Sequence, residues 1–429
     1  MSARDTALSA LTACRKQSAW SDAVLRSFCI RDGLDRRDSG LAFRLCYGVQ
    51  QNRMLLDYML SQCLTGSFSR LQPVVADILR IAAYQILFLD KIPSFAAVND
   101  AVEQGKKHAN VKAAGLINAV LRTLVRKKNA LRMPDDLATR YSHKPELVHL
   151  LRESIGENEL EGYLAADNET PKTCIQVNTL RSDAAYIANC MEGAIPHPWL
   201  PDCFLLDGGD PSATDAFAEG LFYVQDTAAR LAILAAAPMP NMRVLDCCAA
   251  PGGKSFAAAI AMKNHGEVLS CDLHENKLRR IRDGADRLGI SILSTMAHDA
   301  RDFVAEWESA FDLVIADVPC SGLGVIRKKP DIRDKSVDEM AALPELQTAI
   351  MNTVSRYVKP GGTLLYSTCT VLKRENEGVI HTFLAEHNDF SPEDFTLCDV
   401  IHSENGCVTL LPHRHGTDGF FICKMRKRQ

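Results

Sequence analysis

Over the first 135 residues the apolar positions recur every three or four places and hardly ever alternate. The run VVADILRIAAYQILFLDKIP keeps that spacing until Pro93 stops it. FAAVNDAVEQGKKHA and AAGLINAVLRTLVRKKN repeat it. The second closes on Arg126, Lys127 and Lys128, where cations suit the negative end of a helix. The opening MSARDTALSALTACRKQSAW reads as a short amphipathic helix and lacks the apolar centre of a signal peptide. Residues 1–135 are therefore expected to be an all-α bundle. ALRMPDDLATRYSHKP, polar and twice interrupted by proline, reads as a linker.

Between 140 and 232 the pattern is mixed. LVHLLRESIG is helical, KTCIQVNTLRSD alternates as a strand, and CFLLDGG and GLFYVQDTAARLAILAAA read as strand and strand-into-helix. A small α/β module is expected there. From 233 onward strands and helices take turns: RVLDCCAAPGG, EVLSCDLHENKLRRIRDGADRLG, FDLVIADVPC, then LQTAIMNTVSRYVKPGG as a helix ended by Pro-Gly-Gly, then TLLYSTC. That order predicts a doubly wound parallel sheet, with ligands at the carboxyl ends of its strands.

Composition changes this picture little. Hydrophobic residues at 47% and charged residues at 24% suit a globular chain, and no apolar run approaches a membrane span. The 15 cysteines are scattered, odd in number and without a CxxC pair, which argues against a disulfide framework or a thiolate zinc site and for a reducing cytoplasm. Charge is more telling. Residues 1–150 hold 22 Lys and Arg against 13 Asp and Glu, while the chain as a whole carries −4. A basic front on an acidic chain points to a polyanion partner for the N-terminal part.

The candidate chemistry sits at the predicted strand ends. In VLDCCAAPGGKS the glycines Gly252 and Gly253 allow close backbone approach, and the helix start offers free N–H groups. A phosphate loop would need glycine where Cys248 stands, and no G-x-G-x-x-G occurs. Asp272 closes the second strand, where an acid commonly takes ribose hydroxyls, and Asp299 follows the third, within reach of an adenine edge. A ribose acid without a pyrophosphate loop points to S-adenosylmethionine.

Asp317, Pro319 and Cys320 close the fourth strand and Cys369 the fifth, so both thiols should face the cofactor cleft. A methyl sulfonium and two thiols suit methylation at carbon 5 of a pyrimidine. A thiolate adds to carbon 6, carbon 5 becomes nucleophilic and is methylated, and loss of its proton expels the thiolate. Asp317 would bond the ring edge at N3 or the exocyclic amine. The loop GVIRKKPDIR would supply cations to a nucleic-acid backbone, and the base must be flipped or single-stranded. The chemistry alone does not choose between Cys320 and Cys369 as nucleophile.

DCCAAPGGKS, ADVPCSGLGVIRKKPDIR and STCT resemble the RNA cytosine-5 methyltransferases of the Nop2/Sun family, its bacterial 16S rRNA branch in particular; QDTAARL and HGTDGFFICKM also look like family blocks. The resemblance implies an all-α NusB-like RNA-binding domain over 1–135, a small α/β connector over 140–232 and a Rossmann-like, S-adenosylmethionine-dependent catalytic domain over 233–429. It implies that Cys248, Ala249, Ala250, Pro251, Gly252, Gly253 and Lys254 cradle S-adenosylmethionine, that Asp272 takes the ribose and Asp299 the adenine side, and that Asp317 lies at the methyl-transfer centre. It makes Cys369 the nucleophile and Cys320 the thiol that assists product release. It further implies a cytoplasmic monomer acting on 16S rRNA, protein-free or early in assembly, with no membrane and no metal. Cys247 and Ser255 depart from the family's usual residues, and Cys247 is expected to be packing.

Two rival readings are an RNA-binding factor with a silent catalytic half, and a methyltransferase for another target such as tRNA or an amino nitrogen. The intact thiol pair beside Asp317 speaks against the first. Amino-group enzymes carry Asn/Asp-Pro-Pro-aromatic at the fourth strand, where this chain has DVPC.

Overall fold

The protein is described from a computed structural model covering residues 1–17 and 21–429. Contacts group these residues into two compact units. The first comprises 1–152, 157–169 and 326–335; the second comprises 153–156, 170–325 and 336–429.

The first unit is helical: α1 (Ala3–Gln17), α2 (Ser21–Arg31), α3 (Arg36–Gln51), α4 (Arg53–Ser61), α5 (Pro73–Phe88), α6 (Ser94–His108), α7 (Val111–Lys127), α8 (Leu137–Tyr141), α9 (Pro145–Ile155) and α10 (Glu157–Ala166). Helix α5 is its axis. Ile78, Leu79, Ile81, Ala82, Ala83 and Ile86 are all buried, a spread too wide for a surface helix and right for a central one. Gly48 of α3 faces Tyr84 of α5. A Cβ there would lie 2.0 Å from the ring, so any larger residue would displace Tyr84. The segment expected as a linker is structured: Asp136 caps α8 by accepting the Thr139 amide, and His143 beyond it is fully buried, 3.1 Å from Asp167.

The first unit also takes in 326–335, and this corrects the expectation for that basic loop. Arg327 and Arg333 are buried, not presented to solvent. Arg333 donates from Nη1 to the carbonyls of Gln51 (2.6 Å) and Tyr141 (3.1 Å), and from Nη2 to that of Asp167 (2.8 Å). A guanidinium carries five donors in a rigid fork, so one buried arginine can satisfy backbone carbonyls from several segments at once. Among the loop's cations only Lys329 is exposed.

The second unit begins with a four-stranded antiparallel sheet of order β2-β3-β1-β4, made of β1 (Thr173–Val177), β2 (Ile195–Pro196), β3 (Cys203–Leu206) and β4 (Phe222–Val224). Helices α11 (Ala184–Cys190) and α12 (Asp215–Ala218) accompany it, and Ile175, Val177, Ile187, Phe204 and Phe222 form its core. Helix α13 (Thr227–Ala236) leads into the large sheet.

The large sheet alternates β5 (Arg243–Asp246), α14 (Gly253–Ala261), β6 (Glu267–Asp272), α15 (Glu275–Leu288), β7 (Leu293–Ala297) and β8 (Phe311–Asp317). It continues through α16 (Val337–Ala341), α17 (Leu343–Val354), β9 (Val358–Thr368) and α18 (Glu377–Glu386). Strands β5 to β9 are mutually parallel in the order β7-β6-β5-β8-β9. β14 (Phe420–Lys427) then runs antiparallel beside β9, flanked by β10 (Phe390–Pro392) and β13 (Cys407–Leu410), while β11 (Thr396–Leu397) and β12 (Ile401–His402) pair with each other. The sheet is therefore mixed at this edge. α17 ends before the Pro-Gly-Gly turn, and Lys359–Gly362 lie inside β9. The two-residue alternation sends Leu313 and Ile315 of β8 to one face, with Ala257, Leu231 and Ile281, and Val314 and Ala316 to the other, with Ile350 and Phe383. Both faces are covered, and chain order reverses between β5 and β8. A crevice at their carboxyl ends is the expected ligand site of such a sheet.

Candidate active site

The turn after β5 is shaped for close approach. Gly252 has φ +108°, the left-handed region, and a Cβ there would come within 2.7 Å of the Phe256 ring. Its amide donates to Ala249 O (2.6 Å), and the Ala249 amide to Cys271 O (2.8 Å). The helix that follows, α14, begins at Gly253 with no side-chain cap. The uncapped first amides of α14, at the end of the Cys248–Lys254 turn, fit a ligand that needs backbone contact and little side-chain bulk. Asp246, fully buried at the end of β5, accepts the Ser255 hydroxyl at 2.7 Å, and Ser255 in turn accepts that of Ser270 at 2.8 Å. Burial pushes Asp246 up to about 7. Cys247 lies in the apolar cluster, as expected of packing.

Asp272 ends β6 with Oδ1 accepting the His274 amide (3.0 Å) and Lys277 Nζ at 3.3 Å. Asp299 follows β7. Arg301 engages both of its oxygens, and that hydrogen bonding holds the carboxyl down at about 2. Both acids stand at or just beyond the carboxyl ends of parallel strands, Asp299 already paired with its own neighbour.

Asp317 ends β8 and is held twice. Lys254 Nζ lies 2.6 Å from Oδ2, and Ser367 of the adjacent β9 donates to Oδ1 at 2.7 Å. Lys254, expected at the cofactor, is thus paired with Asp317, expected at the methyl-transfer centre. It also stacks over Phe420, 5.1 Å from the ring centre.

The two thiols meet. Cys320 Sγ and Cys369 Sγ are 3.3 Å apart although 49 residues separate them. The pairing of β8 with β9 brings this about, setting Asp317 opposite Ser367 so that both chains leave the sheet side by side. Gly324 N donates to Cys369 O at 3.0 Å and fastens the two turns together. Hydrogen bonding to Cys369, burial, and the carboxylates of Glu375 and Asp317 all push the Cys320 thiol up. The arrangement provides a thiol pair, a carboxylate and an ammonium beside a backbone cradle.

Glu375, Gln347 and Ser367 touch this centre and were passed over in the sequence. Glu375 stands between Arg374 and Asn376 in a charged stretch, so it reads as solvent-facing, yet it is fully buried. Among the described residues no helix is long and apolar enough to cross a membrane.

Comparison with known proteins shows the family and the fold. Residues 233–426 match the family 16S rRNA methyltransferase RsmB/F, and residues 1–126 match the NusB family. The chain is 38% identical to a probable ribosomal RNA small subunit methyltransferase B of Bacillus subtilis, covering 100% of this chain and 99% of that one. The crystal structure of PH0851 superposes with a TM-score of 0.81 at 25% identity, over 99% of this chain and 98% of the other. NSun6 from Pyrococcus horikoshii, solved with SFG, shares the fold at TM-score 0.60 and 21% identity, over 67% of this chain and 98% of its own.

Proposed function

Because the chain belongs to the RsmB/F family of 16S rRNA methyltransferases, enzymes dependent on S-adenosylmethionine, we propose that it methylates carbon 5 of a cytosine in 16S rRNA through a covalent Cys–C6 adduct. Bound S-adenosylmethionine supplies an electrophilic methyl. The chain supplies what cytosine lacks, a nucleophilic carbon 5. The Cys369 thiolate adds to carbon 6, carbon 5 takes the methyl and then loses its proton, and the thiolate is expelled. The base has to leave its stack to reach the two thiols.

The observation that carries this reading is the 3.3 Å thiol pair beside the Lys254–Asp317 ion pair. The resemblance to the Nop2/Sun family gives the nucleophile's role to Cys369 and makes Cys320 the thiol that assists release; the 3.3 Å contact between the two sulfurs supports their acting on one base. Asp317 offers an acceptor to the exocyclic amine, and Lys254 a donor to N3 or O2. Such a pair suits a cytosine edge. Cys248–Gly253 and Asp272 would hold the cofactor, with Asp299 on the adenine side.

Residues 1–135 are assigned to RNA contact on their excess of Lys and Arg, 140–232 to a connector and 233–429 to catalysis. We assign the chain to the cytoplasm, as a monomer on 16S rRNA that is protein-free or early in assembly. The test is transfer from labelled S-adenosylmethionine to protein-free 16S rRNA, followed by nucleoside analysis. Label in 5-methylcytosine is expected. Label in an amino-methylated base, or on tRNA and not rRNA, overturns the assignment.

A further inference from the structure

The turn that carries Cys320 is not held by the sheet. The last ladder bond of β8 on this side is Val318 N to Ser367 O at 3.2 Å, Pro319 has no amide to give, and Gly322 turns the chain at φ +77°. A reactive side chain on so short an excursion needs another anchor, because a displacement of about 1 Å costs on the order of a hundredfold in rate.

The anchor is a buried side-chain network. Glu375 Oε2 accepts the Ser321 amide at 2.8 Å and Gln347 Nε2 at 3.0 Å. That same Gln347 nitrogen donates to Pro319 O at 3.0 Å, so the residues on either side of Cys320 are gripped by one pair of side chains. Both gripping residues are fully buried. The network reaches the second thiol as well. The Ser321 hydroxyl donates to Thr370 Oγ1 (2.8 Å), Asn376 Nδ2 to Thr370 O (3.0 Å), and Thr368 Oγ1 to Asn376 Oδ1 (2.6 Å). The neighbours of both cysteines thus belong to one hydrogen-bonded unit. A buried carboxyl is costly unless its bonds are made, and Glu375 Oε2 takes one from the turn that carries Cys320 and one from Gln347, which itself reaches that turn at Pro319 O.

We propose that Glu375, together with Gln347, is a positioning residue that sets Cys320 against Cys369 for the product-release step. This rests on the two-thiol reading above. Glu375 touches no reacting atom; it acts through the Ser321 amide and the Pro319 carbonyl.

The experiment compares Glu375→Ala, Glu375→Gln and Cys320→Ala with the wild type by two readouts. One is the rate of iodoacetamide labelling at Cys320 relative to Cys369, read by mass spectrometry. The other is covalent protein–RNA species on a denaturing gel after incubation with 16S rRNA and S-adenosylmethionine. Glu375→Ala is expected to raise relative labelling of Cys320 about tenfold, since losing the anchor opens the turn locally. It is also expected to accumulate adduct as Cys320→Ala does. Glu375→Gln keeps one acceptor oxygen in place and is expected to restore both readouts most of the way. Unchanged labelling in a folded Glu375→Ala overturns the proposal. If labelling rises but neither Glu375→Ala nor Cys320→Ala accumulates adduct, positioning stands and the release role of Cys320 is what fails. Should Glu375→Ala not fold, Gln347→Ala, which removes the Gln347 bonds to Pro319 and Glu375 and leaves the Glu375–Ser321 bond, carries the same test.

Discussion

Lys254 Nζ lies 2.6 Å from Asp317 Oδ2, at the point where the strand order of the large sheet reverses. The cation belongs to the start of α14 beside the glycine-rich turn and the acid to the end of β8, so the pair joins the turn proposed to hold the cofactor to the proposed reaction centre. Lys254→Met removes the ammonium, and with it both the bond to Asp317 and the contact on the Phe420 ring, while keeping an unbranched side chain. Turnover is expected to fall about a hundredfold, roughly the worth of a charge-assisted bond at a reacting ring, with S-adenosylmethionine affinity changing far less. Steady-state kinetics beside calorimetric titration of the cofactor checks this. Equal losses in both would make Lys254 a cofactor ligand instead.

Gly252→Ala places a side chain at φ +108° and against Phe256. Strain of roughly 1–3 kcal/mol is expected there, and cofactor affinity should fall at least about tenfold because the turn must open to accommodate Cβ. Calorimetry and a melting curve read the two effects separately.

Arg333→Leu should lower the melting temperature of the helical unit without altering how RNA affinity responds to salt. Its guanidinium is buried among carbonyls, which would be left unpaired at roughly 1–3 kcal/mol for each bond lost. A phosphate contact would instead reduce the slope of log affinity against log salt by about one. Filter binding at several salt concentrations decides between the two.

His143 gives a pH dependence of stability. Burial and the nearby Arg333 hold its pKa below the ordinary 6.5, against the opposing pull of Asp167. The unfolded chain therefore binds the proton more readily. The contribution of His143 is present above pH 6.5 and is lost as pH falls below it toward the folded value. Against a non-titrating His143→Gln variant, the stability advantage of the wild type should shrink between about pH 7.5 and pH 5.5. A constant difference in melting temperature across that window would contradict it.

What could be read in advance, and what could not, divides along physical lines. Period and strand-end position are local, so the ends of β5, β6, β8 and β9, with Asp272, Asp317, Cys320 and Cys369, were legible in the sequence. Burial of charge is not local. Arg333 in a run of cations and Glu375 beside Arg374 look like solvated residues until the surrounding carbonyls and amides are in place. The direction of Lys254 was likewise beyond its motif, because its partner lies 63 residues further along, on β8. The antiparallel edge at β14 was missed because the strand that pairs with β9 comes last in the chain, after short strands whose alternation is too brief to count.

The central claim, two thiols with divided labour, meets its most direct test in one gel. Wild type, Cys369→Ala and Cys320→Ala are each incubated with protein-free 16S rRNA and labelled S-adenosylmethionine, and the products are resolved under denaturing conditions. Cys369→Ala is expected to give neither methylated RNA nor adduct, and Cys320→Ala to trap a covalent protein–RNA band. If Cys320→Ala is instead the variant that loses the adduct, the roles are reversed. If the wild type binds RNA yet methylates none of it, the two-thiol mechanism is wrong.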